Sequence, residues 1–128
     1  MEKTEFLKEM DNPERFKNLD DGWIQDSLTG LDWGPSSEDV MDFNEANEYC
    51  EKLGARLPES HELMSLIDHS KRKPACLLDD MKYDDWYWTS TPVSGYPEGA
   101  WCVPFIYGGV YVGSKGSGSY VRPVRASQ

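Results

Sequence analysis

The sequence predicts an α+β fold: two principal helices packed on a twisted antiparallel sheet, in a single domain. Two observations carry that reading. Between Asp42 and Asp68 the apolar residues recur at helical spacing, with Ala46, Tyr49, Cys50 and Leu53 on one face and Leu63, Leu66 and Ile67 making a second stripe. Beyond Asp85 the period changes to strand-like alternation interrupted by glycine-rich turns. Length sets the scale, since 128 residues suffice for one hydrophobic core and are too few for two. Helices followed by a meander of strands is the α+β plan.

Taken in order, Glu2 to Met10 places Phe6, Leu7 and Met10 at near-helical spacing, and Asn12-Pro13 stops the run. Residues 1–14 therefore read as a helical lead-in to a domain over 15–128. Phe16 to Trp33 alternates strand-like pieces with turns at Asp21-Gly22 and Thr29-Gly30. Gly34 to Ser37 is a loop. The first principal helix is expected over Asp42 to Leu53, with Gly54 fitting its end. Pro58 precedes the second, Ser60 to Asp68. Lys71 to Asp85, with its charges, Pro74 and paired aspartates, reads as a long surface loop. Strands are expected at Trp86 to Ser90, Gly99 to Tyr107, Gly109 to Val112 and Tyr120 to Val124, with the N-terminal strand near the C-terminal one.

The charge narrows the function classes. The chain carries 23 acidic and 13 basic residues, and the excess is uneven: residues 1–90 hold 22 and 10, a balance of −12, while residues 91–128 hold 1 and 3, a balance of +2. An acidic body repels phosphate backbones and anionic lipid, so no direct nucleic-acid contact and no membrane contact is expected. The partner it suits has a basic surface. Residues 1–20 contain no apolar run of signal-peptide length, and no segment approaches a membrane span. Cys50, Cys76 and Cys102 are too few for a disulfide framework. The expectation is a reduced, cytoplasmic protein with three free thiols.

Three stretches form a composite fingerprint. They are Arg15-Phe16 with Asp26-Ser27-Leu28-Thr29-Gly30-Leu31-Asp32-Trp33; Ala55-Arg56-Leu57-Pro58 with Glu62-Leu63; and Trp86-Tyr87-Trp88-Thr89-Ser90-Thr91 with Ala100-Trp101 and Tyr120-Val121-Arg122-Pro123-Val124-Arg125. Together they resemble the Lcl C-terminal-like family, a bacterial and phage domain related to the formylglycine-generating-enzyme branch of the C-type-lectin-like fold. The resemblance implies that fold, a core containing Trp33, Trp88 and Trp101, and a scaffold that mostly presents variable binding surfaces. Relatives commonly join the first helix to the last strand by a disulfide. Here Cys50 holds the helix position and Pro123 stands where its partner would be.

Candidate chemistry is sparse. His61, His69 and Cys76 have spacings of eight and seven, which match no closed zinc pattern. Sugar-binding relatives hold calcium with Glu-Pro-Asn or Gln-Pro-Asp in a loop and Trp-Asn-Asp in a strand, and neither occurs. Asp79-Asp80 and Asp84-Asp85 could gather oxygen ligands but read as a solvated acidic loop. Formylglycine-generating relatives use a cysteine pair in the C-terminal region, where this chain has Cys102 alone, flanked by Trp101 and Val103 as a small core residue would be. Gly113 to Gly118 precedes a strand, not the helix a phosphate loop would open. No metal, no cofactor and no enzymatic activity is expected.

What remains is surface. The C-terminal part is rich in tyrosine, serine and glycine, the composition of antibody paratopes. In retroelement-diversified relatives the ligand-contacting positions lie in the corresponding strands and loops. The expected binding residues are Tyr83, Trp86, Tyr87, Tyr96, Tyr107, Tyr111, Lys115 and Tyr120, with Tyr87 facing away from core residue Trp88. The expected function is a non-enzymatic module that binds another protein, in a phage or mobile-element setting that suits an inhibitor of a host defence complex. Three other readings are an acidic nucleic-acid mimic, a carbohydrate or small-ligand module, and a formylglycine-generating-type oxidase.

Overall fold

The computed structural model describes residues 12–106 and 109–127. The N-terminal lead-in helix and Tyr107 lie outside the described residues. Within them the order is β1 (Phe16–Asn18), β2 (Ile24–Asp26), β3 (Leu31–Trp33), α1 (Phe43–Lys52), α2 (Ser60–Met64), β4 (Trp86–Val93), β5 (Tyr96–Pro104), β6 (Tyr111–Ser114) and β7 (Val124–Ala126). The predicted α+β plan is present.

Each helix starts where its sequence says. Asp42 accepts from the Glu45 N–H at 2.9 Å while the Glu45 carboxylate accepts from the Asp42 N–H at 3.0 Å, so two otherwise unpaired donors satisfy each other's residue. Gly54 ends α1 at φ +67°, a conformation that side chains with a Cβ disfavour. The second helix is shorter than its apolar stripe suggests. Leu66 and Ile67 leave the helix through tightened turns to Leu63 and Met64, and Leu66 accepts the Leu77 N–H at 2.8 Å. Both remain in the core, but pairing with the segment around Cys76 replaces the last helical turn.

That segment corrects a second expectation. Lys71 to Asp85 is not simply a surface loop, because Ala75, Cys76, Leu78 and Met81 are buried. The backbone pulls them in: Asp68 N–H donates to the Ala75 carbonyl at 3.0 Å and Ala75 N–H to the Phe105 carbonyl at 2.6 Å. Four apolar residues hidden among charges give no periodic signal.

The strands form two antiparallel sheets where one was expected. One has the order β1-β2-β3-β7, which puts the C-terminal strand beside an N-terminal one as predicted, and the other is β4-β5-β6. The division arises at residues 119–124. Tyr120 bridges Tyr87 of β4, with Trp88 N–H donating to the Tyr120 carbonyl at 3.0 Å. Pro123 then interrupts the ladder, having no N–H to offer, and Val124 begins β7 against Trp33. The expected strand Tyr120 to Val124 is thus a connector between sheets.

Two apolar clusters result. One gathers Trp33, Leu63, Leu66, Tyr87, Val103, Phe105 and Val124. The other gathers Ala46, Cys50, Leu57, Trp88, Ala100 and Cys102. Tyr87 and Trp88 are neighbours in β4 yet belong to different clusters, so the middle of this sheet is covered on both faces. Cys50, Cys76 and Cys102 are unpaired and buried, and desolvation pushes each thiol up to about 12. No described helix is long and apolar enough to cross a membrane.

Candidate functional site

The fingerprint residues lie inside the fold and hold it together. Asp26 accepts from Arg15 Nε at 2.8 Å, Arg15 Nη2 at 2.9 Å and Trp33 Nε1 at 2.9 Å. Arg15 also donates to the Ser65 carbonyl and hydroxyl, both at 2.9 Å, tying the first sheet to the end of α2. Burial alone would raise the Asp26 carboxyl, but the Arg15 guanidinium and the Trp33 N–H outweigh it and hold it below the ordinary range. Arg56 grips Glu62 with two bonds, at 2.9 and 3.0 Å. Trp88 Nε1 donates to the Met41 carbonyl at 2.8 Å, and Thr89 Oγ1 to the Trp101 carbonyl at 2.7 Å. Arg122, buried, donates to Asp80 at 2.8 Å. Arg125 reaches Asp32 at 3.1 Å and Asp21 at 2.8 Å, lying 4.1 Å above the Trp23 ring. Each motif is a fastening between elements.

The residues expected to bind divide into three groups. Tyr83, Tyr96 and Tyr111 are exposed, at 44%, 42% and 42% of their surface. Trp86 is half-buried and stacks on Tyr111, with ring centroids 5.5 Å apart and planes 17° from parallel. Tyr87 and Tyr120 are corrections, since both are buried. Alternation does turn Tyr87 away from Trp88, but the face it turns to is covered as well. Its hydroxyl accepts from Lys82 N–H at 2.9 Å and shares a hydrogen bond with Ser36, and its ring meets Phe105 edge-on at 5.6 Å. Tyr120 donates to Asp84 at 3.0 Å. Lys115 is drawn off its hairpin tip, its Nζ lying 4.8 Å from the centre of the Phe43 ring. Trp101, expected in the core, is only half-buried.

Two small exposed surfaces follow, one on each face of the β5-β6 pair. Tyr96 folds its ring over Gly99: a Cβ there would stand 2.5 Å from Tyr96 Cδ2 and 3.1 Å from Val112 Cγ1. Trp101 pairs directly with Val112, so Tyr96, Trp101 and Val112 share one face. Trp86 and Tyr111 occupy the opposite face. Val112, 39% exposed, is the residue that sequence reasoning missed. Its signal was available in the uncharged run Tyr111-Val112-Gly113-Ser114.

The metal candidates do not assemble. Cys76 is fully buried while His61 and His69 are exposed. The carboxylates from Asp79 to Asp85 have separate partners: Lys71 for Asp79, Arg122 for Asp80, Tyr120 for Asp84. Among the described residues three possible ligands converge at Glu59, His61 and Glu62, and there Arg56 already occupies Glu62. A different acidic feature emerges beside α1. Adjoining grooves of about 430 and 360 Å³ share Met41 and Tyr49, and their linings include Glu38, Asp39, Glu45 and Glu48.

Fold and site together define a small α+β domain whose signature residues are structural and which exposes Tyr96 and Tyr111 on a hairpin sheet. The chain belongs to the Lcl C-terminal domain family, whose sequence profile matches residues 22–125. A search of curated protein sequences finds no match.

Proposed function

We propose that this domain is a non-enzymatic binding module of C-type-lectin-like build, which recognises another protein through the exposed side chains of β5 and β6. The observation that carries the reading is the placement of Tyr96, Tyr111 and Val112, each about two-fifths exposed, beside the half-buried Trp86 and Trp101. Large aromatic side chains with two rotatable bonds give contact area at low entropic cost. They stand on a sheet whose centre is packed on both faces, so little ordering is needed when a partner docks. The three thiols are protonated at neutral pH and buried, which argues against nucleophilic or oxidase chemistry at cysteine. A net charge of −10 favours a partner with a basic surface, by steering the encounter. A cytoplasmic phage or mobile-element protein that inhibits a host defence complex is the setting this suits.

The test is direct. The immobilised domain captures partners from host lysate, mass spectrometry identifies them, and affinity is then measured for the wild type, Tyr96→Ala and Tyr111→Ala. Loss of affinity with unchanged melting supports the reading. A partner that ignores both substitutions but is lost on neutralising Glu38, Asp39, Glu45 and Glu48 makes the domain an acidic mimic instead.

A further inference from the structure

The backbone of β6 offers something its side chains do not. β6 lies at one end of the sheet order β4-β5-β6, so one of its sides faces β5 and the other faces outward. The register pairs Gly99 with Ser114, Ala100 with Gly113, Trp101 with Val112 and Cys102 with Tyr111. One step further along, Lys115 N–H donates to the Glu98 carbonyl at 2.8 Å. In an antiparallel ladder hydrogen-bonded and non-bonded pairs alternate. Tyr111, Gly113 and the Lys115 N–H therefore point into the sheet, and Val112 and Ser114 point their backbone groups outward; the Lys115 carbonyl is taken by the Phe43 N–H at 3.0 Å. No described residue pairs with the Val112 N–H or carbonyl, or with the Ser114 N–H; the Ser114 carbonyl accepts only the local Ser117 N–H.

Soluble proteins guard such edges with lysine, proline, a bulge or a covering segment. The other edges here are guarded. The outer side of β4 is occupied by Tyr120, β7 is bridged through Val124 to Arg56, and β1 carries the exposed Lys17 at its centre. β6 has no charge and no proline, and aromatic side chains flank it on both faces.

We propose that β6 is a docking edge, to which an extended segment of a basic partner protein adds as a fourth strand. The proposal rests on the protein-binding reading above and specifies its geometry. Outward groups at Val112 and Ser114, two residues apart, match the repeat of an extended chain and no other regular backbone. Successive side chains of the added strand would alternate between the Tyr111 face and the Val112 face, so apolar residues are accommodated on both. The sign of the partner follows from charge. Asp84 and Asp85 lead directly into Trp86, whose ring stacks on Tyr111, and the chain as a whole carries −10, against which Lys115 is the single cation next to β6 in sequence. A second copy would bring two such charges together across the edge, which disfavours self-pairing.

The test uses the full chain, labelled for amide exchange, and the peptide acetyl-Lys-Val-Thr-Val-Thr-Lys-amide as probe. Saturating peptide should slow exchange at Val112 and Ser114 by about tenfold, the equivalent of about 1.4 kcal/mol. Tyr111 and Gly113, already bonded to β5, should change little. Protection elsewhere, or none at these two amides, overturns the proposal without any substitution being needed. Val112→Pro removes the outward N–H along with the valine side chain, and Val112→Thr changes the side chain but keeps the N–H, so the first should weaken peptide binding about tenfold while the second does not. A peptide with glutamate in place of both lysines should bind less well, and equal binding refutes the basic character assigned to the partner. Sedimentation of concentrated wild type that shows a dimer, abolished by Val112→Pro, would replace the partner protein with a second copy. Against a captured partner, a neutral Val112→Pro with a damaging Tyr96→Ala sinks the edge and leaves the binding module standing. Neutral outcomes for Val112→Pro, Tyr96→Ala and Tyr111→Ala together sink the module as well.

Discussion

The two sheets of this domain are built from opposite kinds of residue. In β1-β2-β3-β7 the side chains that matter are charged, buried and satisfied: Asp26 and Asp32, with Arg15 just ahead of β1, are each at most 2% exposed. In β4-β5-β6 the charged residues are few, and the outer strand exposes tyrosine and valine to solvent. Burying a charge is tolerated only when partner and hydrogen bonds are supplied together, so the first sheet admits little change at those positions. An exposed tyrosine has no such obligation. The contrast shows where this chain tolerates substitution without loss of fold: on the side chains outside the network, not on those that define the signature.

The largest effect should come from cutting the buried network. Arg15→Ala leaves Asp26 ionised and buried with only Trp33 and local N–H groups as partners, and should cost about 3–5 kcal/mol in denaturant unfolding. The pH dependence has a defined sign. The folded carboxyl of Asp26 lies below its unfolded value, so its contribution is fully present above about pH 4 and is lost as pH falls through the folded value. Unfolding curves taken from neutral to acid should show that loss in the wild type and a flatter profile in Asp26→Asn. An unchanged acid limb in the variant would remove Asp26 from the network's energetics.

In the second sheet the buried counterpart is Tyr87. Because its ring packs on Phe105 and Tyr120, Tyr87→Ala should destabilise the fold by about 3 kcal/mol, as aromatic truncation in a core does. Tyr87→Phe keeps the ring and strands the Lys82 N–H, at about 1 kcal/mol. Weakened binding with unchanged melting in Tyr87→Ala would return this residue to the surface.

Tyr87 also marks how far the sequence could be read. Among the described residues the two helices and most strands were legible in order, the expected strand Tyr120 to Val124 excepted, because period 3.6 and period 2 survive in short windows and the capping residues Asp42 and Gly54 are local signals. What was not legible depends on the third layer. Alternation reports which residues of a strand share a face, but not whether the second face is covered. Here the cover comes from Leu66, Cys76 and Phe105, remote in sequence from Tyr87. The open edge of β6 was hidden for the same reason, since strand order is a tertiary fact. Among the aromatics proposed for the site, Tyr83, Tyr96 and Tyr111 are exposed; Tyr87 and Tyr120 are lost to pairing across that boundary.

Smaller effects belong to binding. Tyr96→Ala and Tyr111→Ala should each weaken a partner by about 1–3 kcal/mol, measured by calorimetry, with melting nearly unchanged. Tyr111 is expected to cost more, because its removal also uncovers the face of Trp86. Equal affinity for both variants and the wild type would place the interface off this sheet.

The smallest expected effect separates steering from contact. Glu45 and Glu48 both line the acidic grooves beside α1, but they are not equivalent probes. Glu45 completes the capping box with Asp42, so a change there mixes helix stability with charge. Glutamine preserves much of that geometry, yet Glu48→Gln is cleaner, being an exposed side chain outside the cap. A single exposed charge acts mainly on the encounter rate, and salt screens it within roughly 8–10 Å. Glu48→Gln should therefore slow association modestly at low salt, leave dissociation unchanged and shift stability by less than about 0.5 kcal/mol. Stopped-flow association at two salt concentrations reads all of this at once. If the variant instead speeds dissociation and the deficit persists at high salt, Glu48 is in contact with the partner. The acidic face would then be the interface and the aromatic sheet its scaffold.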